Sequence, residues 1–144
     1  MSKVGQRNPV YCTSLGKTLL AFQPEERQAR ILKAIEFKPL TPNTITSKKR
    51  LIQELQDIKK RGYALDRREI EEDVECISAP IRDYQGAAVA AVSISGPQKK
   101  IGTPQEKGFV TAVVQAAAQI SAKLGFQLDA REQAGKKSRD QKRN

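Results

Sequence analysis

A chain of 144 residues has the size of a single domain with one modest core, and no stretch reaches the roughly 18 apolar residues of a membrane span, so we expect no membrane partner. Two cysteines are too few for a disulfide framework, which indicates a reducing, cytoplasmic compartment. The net charge of +10 raises the question of nucleic-acid binding. Outside the basic residues 129–144, however, the charge is spread thinly, and basic residues are not interleaved with aromatic ones. This distribution is typical of a solvated surface.

Three helices are predicted in the front half of the chain, after a brief strand at residues 10–12. Thr13 or Ser14 can cap the first helix, because a side-chain oxygen there accepts from free backbone N–H groups. The second helix has an apolar stripe of Ile31, Leu32 and Ile35. The third helix begins after Ser47 and ends at Gly62, and its apolar stripe is Leu51, Leu55 and Ile58.

The middle of the chain predicts an antiparallel sheet. A short strand is predicted at residues 63–66, and the acidic residues that follow it predict a solvated loop. Residues 74–82 and 87–96 are strand-like runs around the turn-forming Asp83-Tyr84-Gln85-Gly86. Pro80 cannot donate to a β-ladder, so we expect a free edge or a bulge at that point.

A turn of even length fixes the register of this hairpin. If Arg82 and Ala87 flank the turn, Cys76 lies opposite Ser93. Because side chains alternate between faces, one face carries small and polar residues, namely Val74, Cys76, Ser78, Ala91, Ser93 and Ser95. The other face carries Ile77, Ala79, Ile81, Val92, Ile94 and, near its end, Glu75. The first face either cradles a small polar ligand or faces water, and the pattern leaves both interpretations open.

A long helix is predicted from Pro104 to Gly125, with an apolar stripe of Phe109, Val113, Ala116, Ala117, Ile120 and Leu124. Residues 129–144 are charged and lack periodicity, so we predict a folded part at 1–128 followed by a disordered basic tail. The order of elements indicates an α+β fold, an antiparallel sheet covered by helices. So few strands leave edges unpaired, and we expect the sheet to be incomplete in this chain or completed by a partner.

The residues needed for common catalytic chemistry are missing. The chain contains no histidine, which excludes Ser-His-Asp and Cys-His constellations. Cys12 and Cys76 do not have the spacing of a metal site. Gly16-Lys17-Thr18 has the ending of a phosphate-binding loop, but Tyr11 stands where that motif needs a glycine. We therefore predict no catalytic residue, no metal, no cofactor and no enzyme activity.

Several segments, in order, resemble one family. The resemblance covers about residues 5–126 and is carried by 11–21, 62–66, 71–81, 92–97 and 120–125. In these segments the chain resembles the effector-binding half of regulators of the isocitrate lyase regulator (IclR) family. The resemblance implies a GAF-like, profilin-like domain that binds small organic acids or aromatic and sugar-derived metabolites. It also implies a homo-oligomer, a dimer or a tetramer.

The resemblance also implies a set of effector-binding residues. Carried over position by position, they are Ser14, Leu15, Asp66, Val74, Cys76, Ser93 and Ser95. The last four lie on the hairpin face that the register selects. Hydroxyls and backbone N–H groups near Ser14 and Leu15 would hold a ligand carboxylate at a helix N-terminus. Asp66 would accept a hydrogen bond from a ligand hydroxyl, or take part as a donor when protonated.

Two departures from the family pattern affect what we expect. No winged helix-turn-helix precedes Val4 and the front of the effector domain is missing, so DNA binding is expected only through a domain absent from this chain. Asp73 stands where the family usually has a small residue, often glycine. The leading hypothesis is a metabolite-sensing domain of a transcriptional regulator. The alternatives are a truncated interaction module that forms hetero-oligomers with full-length regulators, and direct nucleic-acid binding through the basic tail.

Overall fold

The computed structural model describes Gly5 and residues 7–97, 102–103 and 105–127. Within these residues the elements are α1 (Ser14–Ala21), α2 (Glu25–Ala34), α3 (Lys48–Arg61), β1 (Ala64–Arg67), β2 (Val74–Arg82), β3 (Ala88–Pro97) and α4 (Glu106–Lys123). This confirms the α+β class. The predicted basic tail at 129–144 and the predicted helix start at Pro104 lie outside the described residues.

The three strands form an antiparallel sheet in the order β1-β2-β3, and no further strand pairs with its outer edges within the described residues. Helix α1 packs on one face of the sheet and on α3, whereas α4 packs on β2 and β3. The buried apolar residues form two clusters. The larger one joins the helical layer to Ala64, and the second lies between the sheet and α4 and consists of Leu65, Ile77, Ala79, Ile81, Val113 and Ala117.

The helix ends follow the local chemistry of the sequence. Thr13 is the N-cap of α1, where its side chain accepts a hydrogen bond from the backbone N–H of Gly16. Ser47 caps α3 in the same way through Arg50, and Gly62 ends α3 in the left-handed conformation at φ 86°. The predicted stripe of α3 is buried, as expected for its packing side.

The predicted strand at residues 10–12 is wrong, because these residues form a turn that leads into α1. The Thr13 hydroxyl donates to the carbonyl of Pro9, which curls the backbone instead of extending it. Tyr11 and Cys12 are nevertheless buried in the core. Their apolar character, which suggested a strand, reflects burial of a turn.

The predicted hairpin register is wrong by two residues. Cys76 lies opposite Ser95, and Ser93 lies opposite Ser78. The ladder is irregular between Ile81 and Arg82, where one strand gains a residue. A shift of two residues keeps every side chain on its own face, so the two predicted faces survive.

Pro80 lies in the central strand and pairs with Ala91. Strand β1 pairs only with residues 75–78 of β2, so Pro80 lies beyond the end of β1. The missing N–H of proline therefore costs no ladder hydrogen bond on that side. The expected bulge occurs one residue later, at Ile81 and Arg82.

Helix α4 buries a narrower stripe than predicted. Val113 and Ala117 are buried, but Ile120 and Leu124 are exposed. Ser121 takes the place of Ile120 on the buried side. Its hydroxyl donates to the carbonyl of Ala117 and accepts from the N–H of Arg82, at the irregular point of the hairpin. The buried side of this helix therefore includes a polar contact to the irregular point of the hairpin.

Candidate functional site

Three of the predicted effector-binding residues of the sheet meet in one row under α1. Asp66, Cys76 and Ser95 are Cα partners across β1, β2 and β3. Ser78 and Ser93 lie opposite each other in the next row. Helix α1 covers this face, and the hydroxyls of Thr18 and Ser78 are 2.7 Å apart in the buried interface.

The predicted residues on this face differ in how exposed they are. Ser14 and Asp66 are buried. Val74, Cys76 and Ser93 are half-buried. Leu15 and Ser95 are exposed. The candidate pocket therefore has a closed end at Asp66 and an open end at Ser95.

Cys76 supplies a neutral polar group in the middle of the row. Its Sγ lies 3.2 Å from the Oγ of Ser95. Burial raises the pKa of the Cys76 thiol, while hydrogen bonds with Ser95 and Ser14 lower it. The thiol therefore stays protonated at neutral pH and can donate as well as accept a weak hydrogen bond.

The N-terminus of α1 offers backbone donors beside this row. Thr13 Oγ1 accepts from the N–H of Gly16 at 3.1 Å, and the Thr13 carbonyl accepts from the N–H of Lys17 at 2.9 Å. Helix geometry leaves the N–H groups of Ser14 and Leu15 without an intrahelical acceptor. Such a helix end favours an anion.

Asp66 is the buried end of the row and has an unusual environment. Its side chain is 1% exposed, and its Oδ1 accepts from the backbone N–H of Glu69 at 2.7 Å. Its Oδ2 has no hydrogen-bond partner within the described part of the chain. Burial raises the pKa of Asp66 to about 6; the Glu69 charge adds to this rise, and the Glu69 N–H and Lys17 oppose it. A buried oxygen without a partner is a natural contact for a ligand.

A buried ion-pair network lies next to Asp66, and the sequence did not predict it. Lys17 is 1% exposed and forms an ion pair with Glu69, itself buried. Its Nζ also lies 3.9 Å from Glu54 Oε1, which accepts from Arg61 Nη2 at 2.6 Å. The helical spacing of Ser14, Lys17, Thr18 and Ala21 was the available signal, because these residues share the buried face of α1.

The acidic loop after β1 is not fully solvated, contrary to the prediction, because Glu69 is enclosed in it. The hydroxyl of Thr41 donates to the carbonyl of Arg68, and that of Thr44 donates to the carbonyl of Glu69, each at 2.7 Å. Arg68 has a positive φ of 62°. These contacts hold Glu69 against Lys17. Asp73, where the family usually has a small residue, needs no left-handed backbone here.

A second concavity of about 290 Å³ lies beside this loop. It is lined by Pro42, Asn43, Arg68, Glu72 and Asp73. It includes none of the residues predicted to bind effector. The polar atoms of the predicted residues converge instead in the row under α1.

In the part of the chain that the structure describes, no helix is both long and apolar enough to cross a membrane. No cluster of three or more histidine, cysteine or acidic side chains is arranged to hold a metal ion among these residues.

Comparisons with known proteins agree on one family. Residues 1–122 match the family described as bacterial transcriptional regulator IclR C-terminal. The HTH-type transcriptional regulator KdgR of Escherichia coli (strain K12) is 37% identical over 125 residues, which are 87% of this chain and 48% of KdgR. The chain thus spans about half the length of this relative.

Solved structures show the same likeness. The crystal structure of the Thermotoga maritima IclR matches with a TM-score of 0.82 and 42% identity, over 88% of this chain and 51% of that one. The inducer-binding domain of the PobR transcription factor from Acinetobacter was solved as a double mutant with 3-hydroxybenzoic acid. It matches with a TM-score of 0.70 and 29% identity, over 81% of this chain and 67% of that one.

These matches cover the row under α1, the loop after β1 and most of α4. Because the relatives are transcriptional regulators, the prediction that the chain is not an enzyme is confirmed. The chain belongs to the IclR family of bacterial transcriptional regulators and corresponds to their C-terminal, effector-binding domain.

Proposed function

We propose that this chain binds a small organic or sugar acid in the row under α1 and passes the binding event on to a transcriptional regulator. The observation that carries the proposal is the unpartnered, buried Oδ2 of Asp66, in line with Cys76 and Ser95. The PobR domain binds an aromatic acid in its crystal structure. That precedent supports an acidic effector here.

The proposed contacts follow from the chemistry of each end of the pocket. The N–H groups of Ser14 and Leu15 hold the effector carboxylate at the start of α1. Asp66 contacts a hydroxyl or carbonyl group of the effector at the buried end. Ser93, Ser95 and Cys76 provide donors and acceptors along the floor, and the side chain of Val74 forms an apolar boundary.

Signalling requires two states of different affinity for the effector. We propose that the chain works in a homodimer or homotetramer in the cytoplasm. Effector binding shifts the equilibrium between assemblies that place DNA-binding domains at different spacings. Those DNA-binding domains are winged helix-turn-helix units outside this chain.

The test is ligand-induced thermal stabilisation by gluconate, lactate and 3-hydroxybenzoate. A ligand present at 100 times its Kd stabilises the fold by about 2.7 kcal/mol, and we expect at least one of these acids to raise the Tm of the wild-type chain. Cys76→Phe fills the floor of the row and should abolish the rise. Ser93→Ala removes one hydroxyl and should reduce it.

Ser47→Ala is the matched control. It removes the N-cap of α3, away from the pocket, at a cost of about 1 kcal/mol. The Tm without ligand should therefore fall, while the ligand-induced rise stays unchanged. If Cys76→Phe and Ser93→Ala both keep the full rise, the assignment of the pocket is wrong.

A second candidate function is favoured by the sheet edge. Strand β3 is ten residues long and lies at the edge of the described sheet, with Val89 and Ile94 exposed. Such an edge invites another strand. On this alternative the chain is an interaction module that forms hetero-oligomers with full-length regulators without sensing a ligand.

Sedimentation velocity separates the two functions. The chain is run alone, with each of the three acids, and with a full-length relative such as KdgR. A sensor changes its assembly when the acid is added. An interaction module forms a mixed complex with the relative whether or not the acid is present.

A further inference from the structure

Two acidic side chains, Glu69 and Glu54, contact one enclosed cation, Lys17, beside the candidate pocket, and a third buried acid, Asp66, lies nearby. Lys17 is 1% exposed, and its ammonium is committed to Glu69, with Glu54 at 3.9 Å. Glu54 has its own second partner in Arg61. Asp66 is as deeply buried as Lys17, yet it receives only a backbone N–H on one oxygen.

The loop after β1 fixes this division of partners. Thr41 and Thr44 donate hydrogen bonds to the backbone carbonyls of Arg68 and Glu69, which anchors the backbone from which the Glu69 side chain reaches Lys17. The same loop directs the Glu69 N–H toward Asp66. The geometry therefore places the cation against Glu69 Oε1, while Asp66 Oδ2 and Glu69 Oε2 are each buried without a hydrogen-bond partner among the described residues.

We propose that Lys17 and Glu69 are positioning residues that set the charge of Asp66, so that an anionic effector enters the pocket together with a proton. The inference rests on the proposed function, because it concerns the effector pocket. It adds a regulatory property, a dependence of effector affinity on pH. Neither Lys17 nor Glu69 needs to touch the effector.

The charged and titratable groups around Asp66 come from every neighbouring element. Glu69 and Glu71 lie on the loop after β1 and disfavour the ionisation of Asp66, whereas Lys17 on α1 favours it. Cys76 on β2 and Cys12 before α1 are protonated thiols; burial raises the pKa of Cys12 to about 12. Glu54 and Arg61 lie on the far side of Lys17.

Replacing the acidic or the basic member of the ion pair should shift the pKa of Asp66 in opposite directions. Glu69→Gln removes a negative neighbour and releases Lys17 to face Asp66, so the pKa of Asp66 should fall. Lys17→Met removes the positive neighbour, so the pKa of Asp66 should rise. A pair that only stabilises the fold, without electrostatic coupling to Asp66, predicts no shift of the Asp66 pKa in either variant.

The experiment is a titration of the aspartate side-chain carboxyl carbons by NMR, in the ligand-free chain. Asp66→Asn identifies the Asp66 signal by its loss. In the wild type this signal should titrate near pH 6. We expect a shift of about one pH unit downward in Glu69→Gln and about one unit upward in Lys17→Met.

Lys60→Met is the matched control, since Lys60 pairs with Asp57 on the exposed surface. It should leave the Asp66 titration unchanged. Should Lys17→Met not fold, the sign of the Glu69→Gln shift decides alone. Equal titration of Asp66 in the wild type and Glu69→Gln, or a shift of both variants in the same direction, would overturn the proposal.

Effector binding gives the second measurement. With gluconate, lactate or 3-hydroxybenzoate bound, uptake of one proton makes the apparent Kd rise by up to about tenfold per pH unit above the Asp66 midpoint. A Kd that is independent of pH overturns the linkage but leaves the proposed function intact. Failure of all three acids to bind counts against the proposed function, and the opposite shifts in the ligand-free chain then still decide the role of Lys17 and Glu69.

Discussion

At the scale of single residues, Asp66 lowers the stability of the fold and is also one of the residues proposed to bind the effector. A buried carboxylate with one unpartnered oxygen is costly in the empty domain. The ammonium group of its neighbour Lys17 forms an ion pair with Glu69. This desolvation cost is offset only when a hydrogen-bond donor or a proton reaches the free oxygen. An effector that supplies either one would therefore bind favourably at this position.

Asp66→Asn should therefore stabilise the empty domain at neutral pH. The pKa of Asp66 in the folded state, about 6, lies above its value of 3.8 in an unfolded chain. The folded state thus binds the proton more tightly, and stability declines as the pH rises from about 4 to about 6. Asparagine keeps an oxygen for the Glu69 N–H and removes the charge. Urea unfolding should show a gain of about 2 to 3 kcal/mol at neutral pH that vanishes near pH 4.

A gain that is the same at both pH values would mean that Asp66 titrates normally in the folded state. The effector affinity of the variant should also become independent of pH, because asparagine cannot exchange a proton. A stabilised domain that has lost this pH dependence is the combination expected when Asp66 is the titrating group.

At the scale of elements, the sheet register aligns the site residues. The predicted register joined Cys76 to Ser93, whereas the observed one joins Cys76 to Ser95 and so extends the row from Asp66. The two registers differ by an even number of residues, so the sequence predicted correctly the side of the sheet to which each side chain points. It did not predict which residues lie opposite each other across the strands. The bulge at Ile81 and Arg82 is contacted by Ser121 of α4, which lies far along the chain.

Cross-linking distinguishes the two registers. Ser95→Cys places a second thiol opposite Cys76, where the two side chains already lie within 3.2 Å, and mild oxidation should give an intramolecular disulfide. Ser93→Cys is the matched variant and should not cross-link to Cys76, since its partner is Ser78. Mass spectrometry after digestion reads out both. A good yield of the disulfide between Cys76 and the cysteine introduced by Ser93→Cys would instead support the register predicted from the turn.

The start of α1 depends on a single glycine. A Cβ on Gly16 would lie 2.6 Å from the carbonyl oxygen of Val10 and from Thr13 Oγ1. Gly16→Ala must therefore displace the cap and the backbone donors of the pocket, and we expect a loss of about 2 kcal/mol or more.

Gly108→Ala is the control for this substitution. Gly108 lies in α4 and has open space around it, so alanine should stabilise the fold by about 0.5 to 1 kcal/mol. Chemical denaturation of both variants gives the comparison. A Gly16→Ala variant as stable as the wild type, or more stable, would show that the approach of Val10 to Gly16 does not constrain α1.

The sequence signals that succeeded were local ones. The caps at Thr13 and Ser47 and the left-handed Gly62 depend on residues within one helical turn. The predictions that failed depended on distant neighbours. Lys17 and Glu69 are 52 positions apart, and neither side chain reveals its burial until α1 lies on the loop after β1.

At the scale of the whole molecule, the site uses three layers. Helix α1 gives backbone donors, the sheet gives the polar floor, and the loop held by Thr41 and Thr44 closes the buried end. Helix α4 packs on the opposite face and leaves the pocket side open. The chain spans 48% of KdgR, so we propose that the remainder of a full regulator converts the state of this pocket into DNA binding.

The most direct measurement is backbone NMR of the labelled chain during titration with gluconate, lactate and 3-hydroxybenzoate. We predict that at least one acid shifts a contiguous set of signals at Ser14, Leu15, Asp66, Cys76, Ser93 and Ser95. Changes confined to the concavity at Pro42, Asn43 and Asp73, or to residues 129–144, would contradict the account, as would the absence of any shift with all three acids.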